Sequence, residues 1–217
     1  MIYKSSYVFL AKIFSMLIAP YFKFFNFFRK KYDLQSIDVK TILVTEYHRI
    51  GDVIIIAPIL KSIKSNFPNA EIILVCNEAA KELAEYLKLA DKVFGVSVPW
   101  TNWRWSFSAW YKIRNFAKNL HFLDIDLGID FKGDIRNSWF LWNTHPKVSF
   151  GYDTTGGGYF FTNTIIMNQN AHQYSRASHL IEEFDCQLNR DKKSRYHSNK
   201  NGCVVLHPGA SDLARSW

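Results

Sequence analysis

From residue 41 onward, short runs of apolar and often β-branched residues alternate with longer helical patterns. Runs of this kind are typical of strands buried on both faces of a parallel sheet. The predicted strands are TILVT (41–45), EIILVC (71–76), KVFGVSV (92–98), DLGIDF (126–131) and KVSFGY (147–152). Because helices alternate with these strands, the pattern predicts an α/β fold with a Rossmann-like, doubly wound parallel sheet.

The helical patterns and the polar stretches divide the chain further. Helices are predicted at residues 52–66, 77–90, 108–119, 133–142 and 172–188, with a short TNTIIM segment before the last one. The stretch NRDKKSRYHSNKNG is polar and charged, which is typical of a linker. We therefore expect a hydrophobic and basic segment (1–40), a Rossmann-like domain (41–188), a linker (189–202) and the start of a second domain (203–217).

The first 32 residues combine bulky aromatic residues with basic ones. They contain no acidic residue, and their six basic residues are Lys4, Lys12, Lys23, Arg29, Lys30 and Lys31. Lys12, Pro20 and Lys23 interrupt the apolar stretch, so no uninterrupted run reaches the roughly 20 residues of a transmembrane helix. We expect a helix that lies in a membrane interface and is attracted to anionic lipid. The alternatives are a helix packed on the domain and a secretory signal, although no small-residue cleavage site follows.

Composition argues against several other classes of function. The net charge is +8, and six of these charges fall in the first 32 residues, so no basic stripe remains for nucleic acid. The three cysteines, Cys76, Cys186 and Cys203, are widely spaced and odd in number, which favours a reducing compartment over a disulfide framework. The histidines are scattered, and no metal site is expected.

The stretch EYHRIGD connects the first strand to the first helix of the domain. In open α/β sheets, ligands bind beyond the carboxyl ends of the strands, at such connections. Gly51 would allow a close approach to the backbone, and Asp52 would stand at the start of the helix. Asp52 is either a helix cap or a general base, because aspartate suits both roles. No GxGxxG fingerprint accompanies it, so the residues do not predict a dinucleotide site.

Three stretches resemble glycosyltransferase family 9, which includes the ADP-heptose:lipopolysaccharide heptosyltransferases. The first begins with ILVTEYHRIGDVIIIAPIL and continues through the second strand and its helix. The second is DLGIDFKGDIRNS, and the third is VVLHPGASDLARSW. They occur in the family's order, from residue 41 to the end of the chain.

The resemblance implies an inverting sugar transfer by a GT-B architecture, in which two Rossmann-like domains face a cleft. This chain would supply the N-terminal half, and Asp52 would be the base. Gly51, Asp130, Lys132 and Arg136 would bind the acceptor. His207, Gly209, Ser211 and Arg215 would contact the donor phosphates, with Arg215 standing where the family usually has lysine.

The expected partners are a nucleotide-sugar donor such as an ADP-sugar, a lipid-linked glycan acceptor such as the lipopolysaccharide core, and a membrane surface. No cofactor, metal or nucleic acid is expected, and the location would be cytoplasmic, at the inner face of the bacterial inner membrane. The chain stops inside the third motif, so we expect these 217 residues to be inactive alone. The alternatives are a non-catalytic, membrane-associated binding module and an unrelated nucleotide-binding Rossmann protein.

Overall fold

The computed structural model of the chain describes residues 5–101, 106–168 and 170–189. The strands are β1 (Thr41–Glu46), β2 (Glu71–Asn77), β3 (Lys92–Val96), β4 (Leu127–Asp130), β5 (Val148–Tyr152) and β6 (Asn163–Ile165). The helices are α1 (Ser5–Phe27), α2 (Ile50–Asn66), α3 (Glu78–Tyr86), α4 (Phe107–Leu120), α5 (Ile135–Asn143) and α6 (Gln173–Glu182).

The strands form one parallel sheet in the order β3-β2-β1-β4-β5-β6. Strands β2 and β3 are therefore added on one side of β1. The chain then returns through α4, and β4, β5 and β6 are added on the other side of β1. In the register, Thr45 of β1 stands between Val75 of β2 and Asp130 of β4. This is the topological switch point of a doubly wound sheet, and it confirms the predicted fold class.

Each face of the sheet is covered by its own apolar core. Alternate residues of β1 point to opposite faces, so Ile42 and Val44 belong to one core and Leu43 to the other. The first core is closed by α2, α3 and α6, and the second by α4 and α5. Because both faces are buried, the central strands read as continuous apolar runs.

The structure corrects three predicted elements. The TNTIIM segment contains a sixth strand, β6, paired with β5. Helix α3 ends at Tyr86 and not at residue 90, because Lys88 adopts a left-handed conformation (φ 50°) and turns the chain toward β3. Helix α6 ends at Glu182 and not at residue 188, because Asp185 is left-handed in the same way (φ 60°).

Helix α1 is continuous through Pro20 and packs along the domain beside α5. Ser15 accepts a hydrogen bond from the Gly157 backbone N–H (2.9 Å), and the Phe22 ring contacts Trp142 and Phe160. Residues 6–27 make it the one described helix long and apolar enough to cross a membrane, judged by length and composition alone. The expected position of this helix in a membrane interface stays a prediction.

The aromatic stretch before α4 contributes to the second core. Trp100 is buried, and its indole N–H donates to Asn137 Oδ1 (2.8 Å) while its ring contacts Trp110. The predicted phosphate-binding residues His207, Gly209, Ser211 and Arg215 lie outside the described residues, as do residues 190–202 of the predicted linker.

Candidate functional site at the switch point of the sheet

The carboxyl ends of β1 and β4 lie side by side, and the turn after each strand carries charged residues. The turn after β1 leads into α2, whose first turn contains Asp52. The turn after β4 contains Lys132 and leads into α5. Because β1 and β4 are hydrogen-bonded neighbours, the two turns meet above the same point of the sheet.

Asp52 and Lys132 form an ion pair at this point. Lys132 Nζ lies 3.2 Å from Asp52 Oδ2, and the Lys132 side chain is only 5% exposed whereas that of Asp52 is 21% exposed. Gln173, the first residue of α6, bridges the pair when its amide nitrogen faces Asp52 Oδ1 (2.7 Å) and its oxygen faces Lys132 Nζ (2.9 Å). The carboxylate is thus fixed in orientation and still reaches solvent, which is the arrangement required of a proton acceptor.

Glu46, the last residue of β1, lies beneath this pair. Its side chain is fully buried, and its Oε1 is 3.5 Å from Lys132 Nζ and 3.5 Å from His48 Nδ1. Among the described residues, Glu46 Oε2 has no hydrogen-bond partner. A buried carboxylate needs a compensating charge, so Lys132 is shared between the buried Glu46 and the partly exposed Asp52.

Asp52 does not cap α2. The N-cap of the helix is Arg49, which makes no side-chain cap hydrogen bond, and Asp52 is the third residue of the helix. The capping alternative is therefore wrong, and the carboxylate makes its contacts with Lys132 and Gln173 instead. Its place in the first helical turn nevertheless favours a negative charge, because the backbone N–H groups of that turn carry partial positive charge.

Asp130 is fully buried under the turn after β4. Its carboxylate accepts hydrogen bonds from the Gly133 N–H (2.9 Å) and from the Thr45 hydroxyl (3.2 Å). Burial raises the pKa of Asp130 to about 7, and the nearby Glu46 charge contributes in the same direction. The Asp130 side chain stabilises the turn that carries Lys132. Because Asp130 is buried, it can influence the binding of an acceptor only through that turn.

The other two predicted acceptor residues lie at the surface of this edge. Gly51 is exposed, and a Cβ atom added to it would meet no other atom within 4 Å, so the space above α2 is open. Arg136, in the first turn of α5, holds Asp134 through two contacts, one of them from Nε to Oδ1 at 2.8 Å. Their roles in binding an acceptor stay predictions.

Two residues of the site escaped the sequence analysis. Glu46 directly follows a predicted strand and resembles an ordinary polar residue that ends it. A carboxylate at the carboxyl end of a buried strand is nevertheless a signal of a ligand site, because ligands bind at that edge of the sheet. Gln173 lies far along the chain from Asp52, and no local pattern distinguishes it from other helix-starting residues. Within the described parts of the chain, no three His, Cys, Asp or Glu side chains are grouped so that they could hold a metal ion.

Known proteins that resemble this chain are found among solved structures. No family model and no curated protein matches the sequence. Among solved structures, a glycosyl transferase of family 9 from Veillonella parvula matches with a TM-score of 0.60 at 21% identity, over 73% of this chain and 44% of that one. The E. coli heptosyltransferase WaaC with ADP matches with a TM-score of 0.58 at 16% identity, over 70% and 50%.

A further match is the E. coli ADP-heptose lps heptosyltransferase II, with a TM-score of 0.55 at 11% identity, over 64% of this chain and 39% of that one. The chain thus spans half or less of the length of the structures it matches. At these identities the likeness concerns the fold. The predicted fold is confirmed: the chain shares the Rossmann-like fold of one part of these glycosyltransferase structures, and the family resemblance is supported at the level of the fold alone.

Proposed function

We propose that the described residues form the acceptor half of an inverting glycosyltransferase, with Asp52 as the general base. The observation that carries this proposal is the ion-paired Asp52 at the switch point of the sheet, with open space above Gly51. An acceptor hydroxyl is a poor nucleophile, and a carboxylate held at the mouth of a cleft can take its proton during attack. The fold shared with family 9 structures supports this assignment.

The two halves of such an enzyme have different tasks. The donor would be a nucleotide sugar, because the WaaC structures that match this fold contain ADP or an ADP-sugar analogue. Its diphosphate would be bound by the turn at His207, Gly209 and Ser211 with Arg215. The acceptor would be a lipid-linked glycan such as the lipopolysaccharide core, gripped near Lys132 and Arg136. We place the reaction at the cytoplasmic face of a bacterial inner membrane.

The mechanism is then a direct displacement. The acceptor oxygen attacks the anomeric carbon of the donor while its proton passes to Asp52, and the bond from that carbon to the diphosphate oxygen breaks. Lys132 and Gln173 would hold the carboxylate in place for the approach, so their contribution is to orientation. The leaving diphosphate departs with its electron pair toward donor-side cations and N–H groups.

A transfer assay tests the proposal. In a complete transferase carrying this half, with ADP-heptose and a lipopolysaccharide-core acceptor, Asp52→Asn is expected to lower kcat by roughly 10²- to 10⁴-fold and leave the donor KM nearly unchanged. Asp38→Asn is the matched control, because its side chain is 82% exposed and away from the site. Turnover within about threefold of the parent enzyme would remove Asp52 from the chemistry. Acceptor binding with no transfer from any nucleotide sugar would favour a binding module.

A further inference from the structure

Helix α1 contacts the domain through a narrow strip with helical spacing. The residues of this strip, which we call the docking strip, are Val8, Ala11, Ser15, Ile18, Ala19, Phe22, Asn26 and Arg29, which follows the helix. Several of its contacts are polar. Asn26 Oδ1 accepts from the Trp142 indole N–H (2.7 Å), and Arg29 donates to the Trp142 carbonyl (3.0 Å).

Most of the remaining residues of α1, and the residue after the helix, are large, apolar and exposed. This outer face consists of Tyr7, Phe9, Leu10, Ile13, Phe14, Met16, Leu17, Tyr21, Phe24, Phe25, Phe27 and Phe28. A helix on a water-soluble domain normally turns its apolar side inward and its polar side outward. In α1 Ser15 and Asn26 face the domain, whereas most of the large apolar side chains face away, so the outer face is suited to an apolar environment.

The charges around the outer face identify that environment. Lys12, Lys23, Lys30 and Lys31 are exposed, and no acidic residue occurs in the first 32 positions. Basic residues interleaved with aromatic ones match a bilayer surface that contains anionic lipid, where lysine meets the headgroups and aromatic rings reach the acyl boundary. A second protein chain would more often present acidic partners or a polar rim.

The docking strip also fixes how α1 is placed relative to the sheet. Ser15 contacts Gly157, whose loop packs on Ile135 at the start of α5, whereas Arg29 contacts His145 beyond the end of α5. Helix α1 therefore runs parallel to α5, from the carboxyl edge of the sheet to its amino edge. Ala11 also lies beside Gly156 of the same loop, so the docked part of the helix extends at least from residue 11 to residue 29.

We propose that α1 lies in the surface of an anionic bilayer and holds the carboxyl edge of the sheet, with Asp52 and Lys132, next to the lipid headgroups. Because the helix is docked on the domain from Ala11 to Arg29, it lies along the bilayer surface and does not span the bilayer. The lipid contact itself does not depend on sugar transfer. Its consequence, the presentation of the candidate base to a lipid-linked acceptor, rests on the proposed function.

Vesicle binding by the full 217-residue chain tests the contact. Sedimentation with phosphatidylcholine vesicles containing phosphatidylglycerol is expected to capture the chain, and salt or removal of the anionic lipid is expected to weaken binding. Phe14→Ser combined with Tyr21→Ser is expected to lower the partition coefficient about tenfold or more, because two aromatic side chains lose their lipid contact. The matched control is Tyr86→Ser combined with Leu87→Ser, which are exposed at the end of α3, on the β2–β3 side of the sheet away from α1.

Equal losses for the two double variants, or capture without dependence on anionic lipid, would overturn the proposal. Sedimentation velocity without lipid adds a second check, since a dimer that only the Phe14/Tyr21 variant disrupts would assign the outer face to another copy of the chain.

A fluorophore attached to an introduced cysteine tests the orientation in a Cys203→Ser background, where the two cysteines within the described residues are buried. Headgroup quenchers should act more strongly at Ile166→Cys, beyond β6, than at Tyr86→Cys, at the end of α3; equal quenching would contradict the orientation.

Discussion

Lys132 is the residue at which three distant parts of the chain meet. Its ammonium group contacts Glu46 at the end of β1, Asp52 in α2 and, through the amide oxygen, Gln173 in α6. The side chain is almost fully buried, so its charge is stabilised by these partners and not by water. Lys132 was predicted to bind the acceptor, whereas its observed contacts are with the candidate base and the acid beneath it.

Lys132→Met is expected to destabilise the fold by about 3–5 kcal/mol at neutral pH, because it leaves the buried Glu46 carboxylate without a compensating charge. Urea denaturation measures the change. Adding Glu46→Gln to this variant should restore part of the loss, because the uncompensated charge is then removed. Lys112→Met, on the exposed side of α4, is the control and should change stability by less than about 0.5 kcal/mol. Equal effects of the two lysine substitutions would contradict the ion-pair assignment.

Asp130 is expected to make the fold less stable as the pH rises. Its pKa is about 7 in the folded chain against 3.8 for the ordinary group, so between these values the folded state holds a proton that the unfolded state has lost. This contribution is fully present below about pH 4 and is lost as the pH rises through about 7. Asp130→Asn should therefore flatten the pH dependence of unfolding between pH 4 and 7, while Asp38→Asn should not. A parent and variant with parallel pH profiles would contradict the assignment.

At the scale of elements, α1 and α2 show opposite uses of polar residues. Helix α2 buries an apolar face that includes Val53, Ile56 and Ile63, and it presents Asp52 at its exposed start. Helix α1 instead docks through Ser15 and Asn26, which accept hydrogen bonds from the Gly157 backbone N–H and the Trp142 indole N–H. Its attachment therefore depends on a few polar contacts and the Phe22 ring, and not on a continuous apolar seam.

Asn26→Leu is expected to loosen α1 by about 1–3 kcal/mol, because the Trp142 indole N–H and the Tyr159 carbonyl would lose their partner. Limited trypsin digestion at Lys12 and Lys23 should then proceed faster, while the strands keep their protection in hydrogen exchange. Phe27→Leu is the control, because that side chain is 81% exposed and makes no comparable contact with the domain. Unchanged digestion of Asn26→Leu would show that ring packing alone holds the helix.

At the scale of the whole molecule, a glycine in β5 allows the edge of the sheet at β6 to pack against the second core. Gly151 in β5 pairs with Thr164 of β6, and the Phe161 ring lies directly over the Gly151 Cα. A side chain at position 151 would collide with that ring, so the edge of the sheet and the second core are linked at this point.

Gly151→Ala is expected to cost about 1–3 kcal/mol of stability, because Phe161 must leave its site in the second core. Phe161→Leu in the same chain should recover part of the loss, since the shorter side chain leaves room for the new methyl group. Denaturant unfolding of the four chains in this double-mutant cycle measures the coupling. Additive losses, with no recovery in the double variant, would show that the two positions do not interact.

The periodicity of the sequence determined the parallel α/β sheet, because strands buried on both faces must be apolar throughout and alternate with helices. It also placed Asp52 at the first strand-to-helix connection, and it identified the basic, aromatic character of α1. These properties depend on neighbours in the chain, which a sequence displays directly.

Only the tertiary structure decided which side chains meet. The contact of Gln173 with Asp52, the sharing of Lys132 with Glu46, and the docking of Asn26 on Trp142 each join residues far apart in the chain. The ends of α3 and α6 were also decided there, by left-handed Lys88 and Asp185. Local patterns do not encode these features, because the energy of each contact arises only when the sheet order brings separate segments together.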